Sequence, residues 1–442
     1  METFCTTSNM RKHLCILLLF AVPLFVWAQE EIQRERTTGE PVFFETHFIA
    51  AEEDSFVVET LYRLRQDAFV FVRSLDAGSN RFTCKGEVVV EILDSTGSSV
   101  TRNIRELFLE SDDNSQTYLR TRFVQGKFSF RLKPGKYTAL LRVEDKESKR
   151  QLPDIHRPLH IQTQKKILST VLPVQFKTDS TNTFVCFNIG GDIFFSQDFA
   201  LLFLVNSHAT PNVRYTLKRV NPFDDEKETI VKDTAVISAF FPSSTVAMNE
   251  TGDGISASVI QGGENTVFSV PVHGKNLKQG RYEIEILLSD SQKVTTAFGT
   301  RWLDMPYSLM DLDIATLPLQ FIMTKDDYSD LRSGSRETRI HKFEEFWKKK
   351  DPTKETAYNE MMAEFYRRAD YAMVTYRSLK EPNGSLTDRG KIFILYGKPT
   401  STERILNPDG APKEIWKYSS LNKTFIFEDP SKQGNYKLTE SK

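Results

Sequence analysis

Apolar residues from Pro41 to about Gln164 come in short runs separated by turn residues. PVFFETHFIA, SFVVETLYRL, AFVFVRS, GEVVVEILD and GKYTALLRVED are rich in Val, Phe, Tyr and Leu. Several alternate apolar with polar, as half-buried strands do. Asp76-Ala77-Gly78, Asp94 to Gly97 and Pro134-Gly135 supply the turns. Strands at this spacing with no helical stretch predict an antiparallel sandwich of immunoglobulin type over 41–164. The pattern then returns from Lys165 to about Phe298, with Gly252-Asp253-Gly254 and Gly262-Gly263 as turns. LKPGKYTALLRVED from Leu132 and LKQGRYEIEILLSD from Leu277 match at Leu, Lys, Gly, a basic residue, Tyr and the final Asp. Their separation is one domain length and each precedes a domain's end, so a second sandwich over 165–298 is expected. Tyr137 and Tyr282 should then occupy equivalent positions.

The period changes after Thr300. RWLDMPYSLMDLD reads as a connector, and TLPLQFIM with TKDDYSDLRSG as short helices ended by Gly334. Ser335 can cap a helix over SRETRIHKFEEFWKKK, whose Ile340, Phe343, Phe346 and Trp347 share a face and whose lysines suit the C-terminal dipole. Asp351 is expected to cap the next helix with Pro352 at its first position. In that helix Tyr358, Met361, Phe365, Ala369, Ala372 and Tyr376 form an apolar stripe, and Glu360, Glu364 and Arg368 step along its flank. After the turn GSLTDRG, the segments KIFILYG, EIWKYSSL, KTFIFEDP and NYKLTE read as four strands, with a Pro- and Gly-marked loop at Asn407 to Pro412. The third region, 304–442, is therefore expected to be α+β, helices first and a small antiparallel sheet second.

The N-terminus changes the compartment. Arg11-Lys12 precede an apolar run from Leu14 to Trp27, broken by Pro23 and ended by the small Ala28. That predicts a signal peptide over 1–28, cleaved to leave Gln29 first, rather than a spanning helix of about 20 residues. No later segment is apolar enough to span. Only Cys84 and Cys186 then remain, about a hundred residues apart in different predicted strands, and two separate buried thiols are expected. The 442 residues carry 58 basic and 59 acidic side chains, a net charge of -1, and no long block of one sign. Nucleic acid is not an expected partner.

The last third carries a resemblance. Phe346-Trp347, Asp351-Pro352, Asn359-Glu360, Glu364 to Arg368, Tyr371-Ala372, Gly384, Thr387 to Gly390, Tyr396 to Pro399 and Glu414 to Tyr418 resemble the GWxTD-domain family of exported bacterial proteins. YRLRQDAFVFV at Tyr62 to Val72 is a weaker match, and Ser385 stands where the family's tryptophan falls. The resemblance implies β-rich domains ahead of the last one and a Bacteroidota-like source. It thereby implies a Gram-negative periplasm or an outer-membrane-associated location. It implies no reaction.

Candidate chemistry is sparse. His156 and His160 flank Pro158 in what reads as an extended linker, and HExxH, CxxC, P-loop and G-x-S-x-G patterns do not occur. No metal or cofactor is expected. Glu360 and Glu364, four residues apart, could split their pKa values for acid–base work. The competing reading is a polar joint in which Arg368 bridges them to Asp388 or Arg389, with Thr387 and Asp388 serving the turn. Trp302, Trp347 and Trp416 fill cores in this reading; the alternative is a glycan groove. The expectation is a non-catalytic exported envelope protein that binds a protein or glycan partner through its C-terminal α+β domain. The alternative is a glycan- or peptidoglycan-directed hydrolase using carboxylates of that domain.

Overall fold

The computed structural model describes residues 41–442 except 52–53, 75–80, 120, 163–167, 178, 207–211, 222–225, 238, 253, 263, 289–292 and 407–409. The expected signal peptide and the Asp76-Ala77-Gly78 turn lie outside the described residues, as do parts of the turns at 253 and 263 and of the 407–412 loop. Among the described residues β-strand is the main element, in several antiparallel sheets, followed by a C-terminal helical region with a small sheet.

In the first region the strands Val42–Ala50, Phe56–Arg65 and Phe123–Leu132 form a three-stranded sheet. A six-stranded sheet is built around Phe82–Leu93 and Gly135–Asp145. Alternation is clean where one face is buried: Val88, Val90 and Ile92 are inaccessible while Val89 and Glu91 between them are partly exposed. Two arginines join the sheets. Arg105 donates to the Tyr62 hydroxyl at 3.2 Å, and Arg157 Nε to the Phe44 carbonyl at 3.1 Å. AFVFVRS contributes only Val72–Arg73, because Gln66–Ala68 turns into a short 3-10 helix. The expected linker around Pro158 is instead the strand Ile155–Ile161, which places His156 and His160 on its exposed face.

The second region packs a seven-stranded sheet on a five-stranded one. An interior strand of the larger sheet, Phe199–Val205, is apolar throughout because both of its faces are covered. Phe199, Leu201, Phe203 and Val205 join the core with Tyr215, Tyr282 and Ile284 of the five-stranded sheet. Ala200, Leu202 and Leu204 face the other way, onto Ile49 and Leu61 of the first region. Apolar packing thus runs without a break from one sandwich into the next. Ile193–Phe194 departs from the antiparallel rule, running parallel to Lys293–Arg301.

The repeated L-K-x-G-x-Y has a common geometry. The Tyr137 hydroxyl donates to the Lys133 carbonyl at 3.1 Å, and the Tyr282 hydroxyl to the Lys278 carbonyl at 2.7 Å, each four residues upstream. Each strand, Gly135–Asp145 and Gly280–Leu287, pairs antiparallel with its region's last strand, placing Tyr137 opposite Leu159 and Tyr282 opposite Phe298. The tyrosine ties the turn that launches the strand.

Several expectations for the last region are corrected. The long helix runs Glu360–Thr375 and is capped by Asn359, whose Oδ1 accepts from the Met362 amide at 2.9 Å. Asp351 instead closes a local turn by accepting from the Thr353 amide. Its buried face is Ala363, Phe365, Tyr366, Ala369 and Ala372, while Met361 is exposed. The segment KIFILYG is not a strand but the body of a helix, Asp388–Tyr396. Ile392, Phe393 and Ile394 are all buried, and an apolar run with no polar interruption carries no period to separate helix from strand. The caps were the better signal: Thr387 Oγ1 accepts from the Gly390 amide at 3.0 Å, and Gly397 at φ 77° ends the helix. The sheet's remaining strand is Ser401–Ile405, an exposed edge that shows no apolar alternation and pairs with Lys413–Tyr418. The helix over Arg336–Lys349 is capped by Ser335 as expected, although only Trp347 of its four apolar residues is buried and Ile340 is exposed. Among the described residues no helix is long and apolar enough to cross a membrane.

Candidate functional site

The sequence-predicted polar residues fall into separate groups. Arg389 forms a buried pair with Glu414, Nη1 to Oε2 at 2.9 Å, and its guanidinium lies over the Tyr436 ring at 4.2 Å from the centroid. The other Glu414 oxygen accepts from Trp416 Nε1 at 3.0 Å. Arg368 does not reach Asp388 or Arg389. Its Nε bonds Glu364 at 2.6 Å along an exposed helix flank, and its Nη1 touches the Ile394 carbonyl at 3.5 Å. Asp388 accepts from the Leu438 amide and so ties the helix start to the last strand. Thr387 is the cap described above and donates to the Gly384 carbonyl at 2.8 Å. The single bridged joint is thus replaced by a buried ion pair and an exposed one, because Arg389 rather than Arg368 points into the domain.

The residues that carried the resemblance do structural work. Asn359 Nδ2 donates to the Trp347 carbonyl at 2.8 Å, tying the end of one helix to the start of the next. A Cβ at Gly390 would lie 2.0 Å from the Gly384 carbonyl oxygen, and one at Gly384 would lie 2.3 Å from the Ala372 oxygen. Only glycine permits that approach. The Tyr418 hydroxyl donates to the Gly397 carbonyl at 2.8 Å. Ser385 is fully buried, its hydroxyl bonded to Asn383 at 2.6 Å.

Asp370 was not singled out by the sequence. It accepts from the Tyr307 and Ser308 amides and from the Ser308 hydroxyl, so the long helix anchors the connector. Burial pushes its carboxyl above the ordinary 3.8, opposed by the bonds from Ser308. Cys84 and Cys186 are both free and buried, and burial pushes the Cys84 thiol up to about 12. Among the described residues no group of His, Cys, Asp and Glu could hold a metal ion.

Of the predicted polar residues, Glu360 borders a sizeable cavity, and it also accepts from the Thr353 hydroxyl at 2.5 Å. This cleft of about 500 Å³ lies where the three regions meet. Arg63 and Phe123 come from the first, Phe194 and Phe195 from the second, and Trp302, Tyr358 and Arg367 from the connector and C-terminal region. Trp302 is stacked on Phe195 at 5.5 Å and met edge-on by Tyr358 at 5.2 Å. Trp347 and Trp416 are core residues; Trp302 is the tryptophan that lines a cavity. The cleft escaped the sequence because its walls are drawn from segments hundreds of residues apart. Trp302 in a connector, where no helix or strand core awaits it, was the available signal.

The GWxTD domain matches residues 289–442. No curated protein matches the chain. Among solved structures, the native conformation of E. coli alpha-2-macroglobulin aligns over 62% of this chain and 16% of its own, at 11% identity and a TM-score of 0.14. The chain spans about 16% of that protein's length, and so loose a superposition says nothing of activity. The turn, caps and buried pair described above all lie inside this matched segment, so residues 289–442 carry a GWxTD domain.

Proposed function

We propose that this chain is an exported envelope protein, in the periplasm or on the outer membrane of a Gram-negative bacterium, that binds a protein or envelope partner without catalysing a reaction. The C-terminal domain presents the binding surface, on the side where it meets the sandwiches. The observation that carries this reading is the cleft, whose walls are aromatic and cationic. The basic pair, short apolar run and Ala28 support export. Affinity capture from envelope extract with the mature chain tests the binding role, against a chain carrying Tyr358→Ala and Arg367→Ala. Partners retained equally by both would remove the cleft from the function. N-terminal sequencing of envelope-fractionated protein should begin at Gln29; full-length protein in the cytoplasm would refute export.

A second reading, hydrolysis of glycan or peptidoglycan, draws on Glu360 and Asp304, two carboxylates that line the same cleft. Asp304 is engaged by Arg367 at 2.8 Å, while Glu360 accepts from the Thr353 hydroxyl and has no cationic partner among the described residues. Glycan release that is abolished by Glu360→Gln, with stability unchanged, would replace the binding reading with this one.

A further inference from the structure

The cations lining the cleft are unequally met, and of its carboxylates Asp304 is paired while Glu360 accepts from the Thr353 hydroxyl. Arg301 is paired with Asp192, Lys275 with Asp198 at 3.3 Å, and Arg367 with Asp304. Among the described residues Arg63 has no acidic partner. Its Nη1 donates to the Phe187 carbonyl at 3.2 Å, and its Nε is enclosed without an acceptor. The guanidinium lies over the Phe123 ring, 4.2 Å from the centroid, with the Phe194 ring 5.5 Å away. A planar guanidinium fixed in this way is preorganised for a carboxylate, since little rotamer freedom remains to be lost.

We propose that the cleft captures a polypeptide segment through one carboxylate, met by Arg63, with a neighbouring apolar side chain against the Phe195–Trp302–Tyr358 wall. This rests on the binding reading above and names its ligand class. One unmatched positive charge suits one negative group; a phosphate or a polyanion calls for several unpaired cations. Trp302 has one ring face covered by Phe195 and Tyr358 against it edge-on, so it is not the open platform that a sugar ring stacks on. The volume of about 500 Å³ accommodates a short chain end or a single kinked turn of peptide rather than a folded element. Free Arg63 carries a desolvated charge, and ligand binding relieves it.

The carboxylate can come from a chain terminus or from an acidic side chain, and three probes separate these sources. They are acetyl-diglycyl-phenylalanine as the free acid, its carboxamide, and the carboxamide with a glutamyl residue before the phenylalanine. Calorimetric titration of the full chain should show one of the two acidic probes binding roughly 10- to 100-fold more tightly than the neutral carboxamide. A tighter free acid identifies a terminus; a tighter glutamyl probe identifies a side chain. Arg63→Gln should bring both acids to the level of the carboxamide, whereas Lys275→Gln at the exposed rim should change them only a few-fold. Phe194→Glu, which places an internal carboxylate beside Arg63, should abolish the preference and serves if Arg63→Gln does not fold. Equal binding of all three probes, no binding at millimolar concentration, or a preference that survives both variants would overturn the proposal. An envelope partner captured equally by wild type and Arg63→Gln, with no probe binding, overturns this carboxylate site and leaves the binding role standing.

Discussion

Arg389, in the first turn of Asp388–Tyr396, and Arg368, midway along Glu360–Thr375, each pair with a glutamate, yet burial separates their energetics. The side chains of Arg389 and Glu414 are 11% and 4% exposed; those of Arg368 and Glu364 are 31% and 53%. Removing one partner of the buried pair strands the other charge away from water. Glu414→Ala should therefore cost about 3–5 kcal/mol in urea unfolding. Glu364→Ala should cost at most about 1 kcal/mol, because water already screens that pair. Equal losses would refute the distinction. Asp370 makes a different claim, in pH. Its folded pKa lies above the ordinary 3.8, so the native state holds the proton more tightly than the unfolded chain. That contribution is present in full below 3.8 and is lost as pH rises through the folded value. Against Asp370→Asn, the wild-type melting temperature should lose ground as pH is raised from below 3.8 to neutrality. A difference between the two that is flat with pH would show that burial of the carboxylate is not felt.

At the scale of elements, the legible features were those with a period or a cap. Alternation marked Val42–Ala50, Phe56–Arg65, Phe82–Leu93 and Gly135–Asp145, and Ser335 marked its helix. Where both faces of an element are covered the period vanishes, as in Ile392-Phe393-Ile394, and length and composition pointed to the wrong element. Exposed edge strands such as Ser401–Ile405 fail for the opposite reason, having no buried face to reveal them. The polar residues of the last domain were visible as a group, but their partners were not. Glu414 lies 25 positions from Arg389, and nothing local couples them. The turn GSLTDRG shows what the glycines are for. Its second glycine brings the first turn of Asp388–Tyr396 onto the Gly384 carbonyl, and a methyl there would lie 2.0 Å from that oxygen. Neither partner is a flexible side-chain end, so backbone must move. Gly390→Ala should cost about 1–3 kcal/mol or more, beyond the roughly 1–2 kcal/mol expected for Thr387→Ala, which loses the cap. Differential scanning of both variants orders them, and a Gly390→Ala protein melting like wild type would overturn the close approach.

The whole molecule is tied together more strongly than a string of tandem modules would be. Leu61 of the first region is inaccessible and belongs to the same core as Leu172, Val174, Leu202 and Leu204 of the second. Buried polar groups cross the same boundary. Asn188 Nδ2 donates to the Tyr62 carbonyl at 2.8 Å, and the Gly191 amide donates to Glu45, whose carboxylate also meets His47 at 3.2 Å. Arg105 reaches across to Glu250 at 2.8 Å. Separating the sandwiches would expose apolar surface on both and leave these groups without partners, a cost that neither recovers alone. The two sandwiches should therefore unfold in one calorimetric transition, despite a sequence that reads as two modules. Leu61→Ala removes side-chain volume from the shared core and should lower that joint transition by about 2–5 kcal/mol. Because Leu61 lies on a first-region strand, independent modules would respond differently: only the first would lose stability, and the second would melt unchanged. Hydrogen exchange on strand Phe199–Val205 distinguishes the cases. Faster exchange there in Leu61→Ala is the expected result, since Ala200, Leu202 and Leu204 face the altered site. Unchanged protection of that strand, with a second transition resolved from the first, would mean that the sandwiches fold apart and that their shared core contributes no coupling.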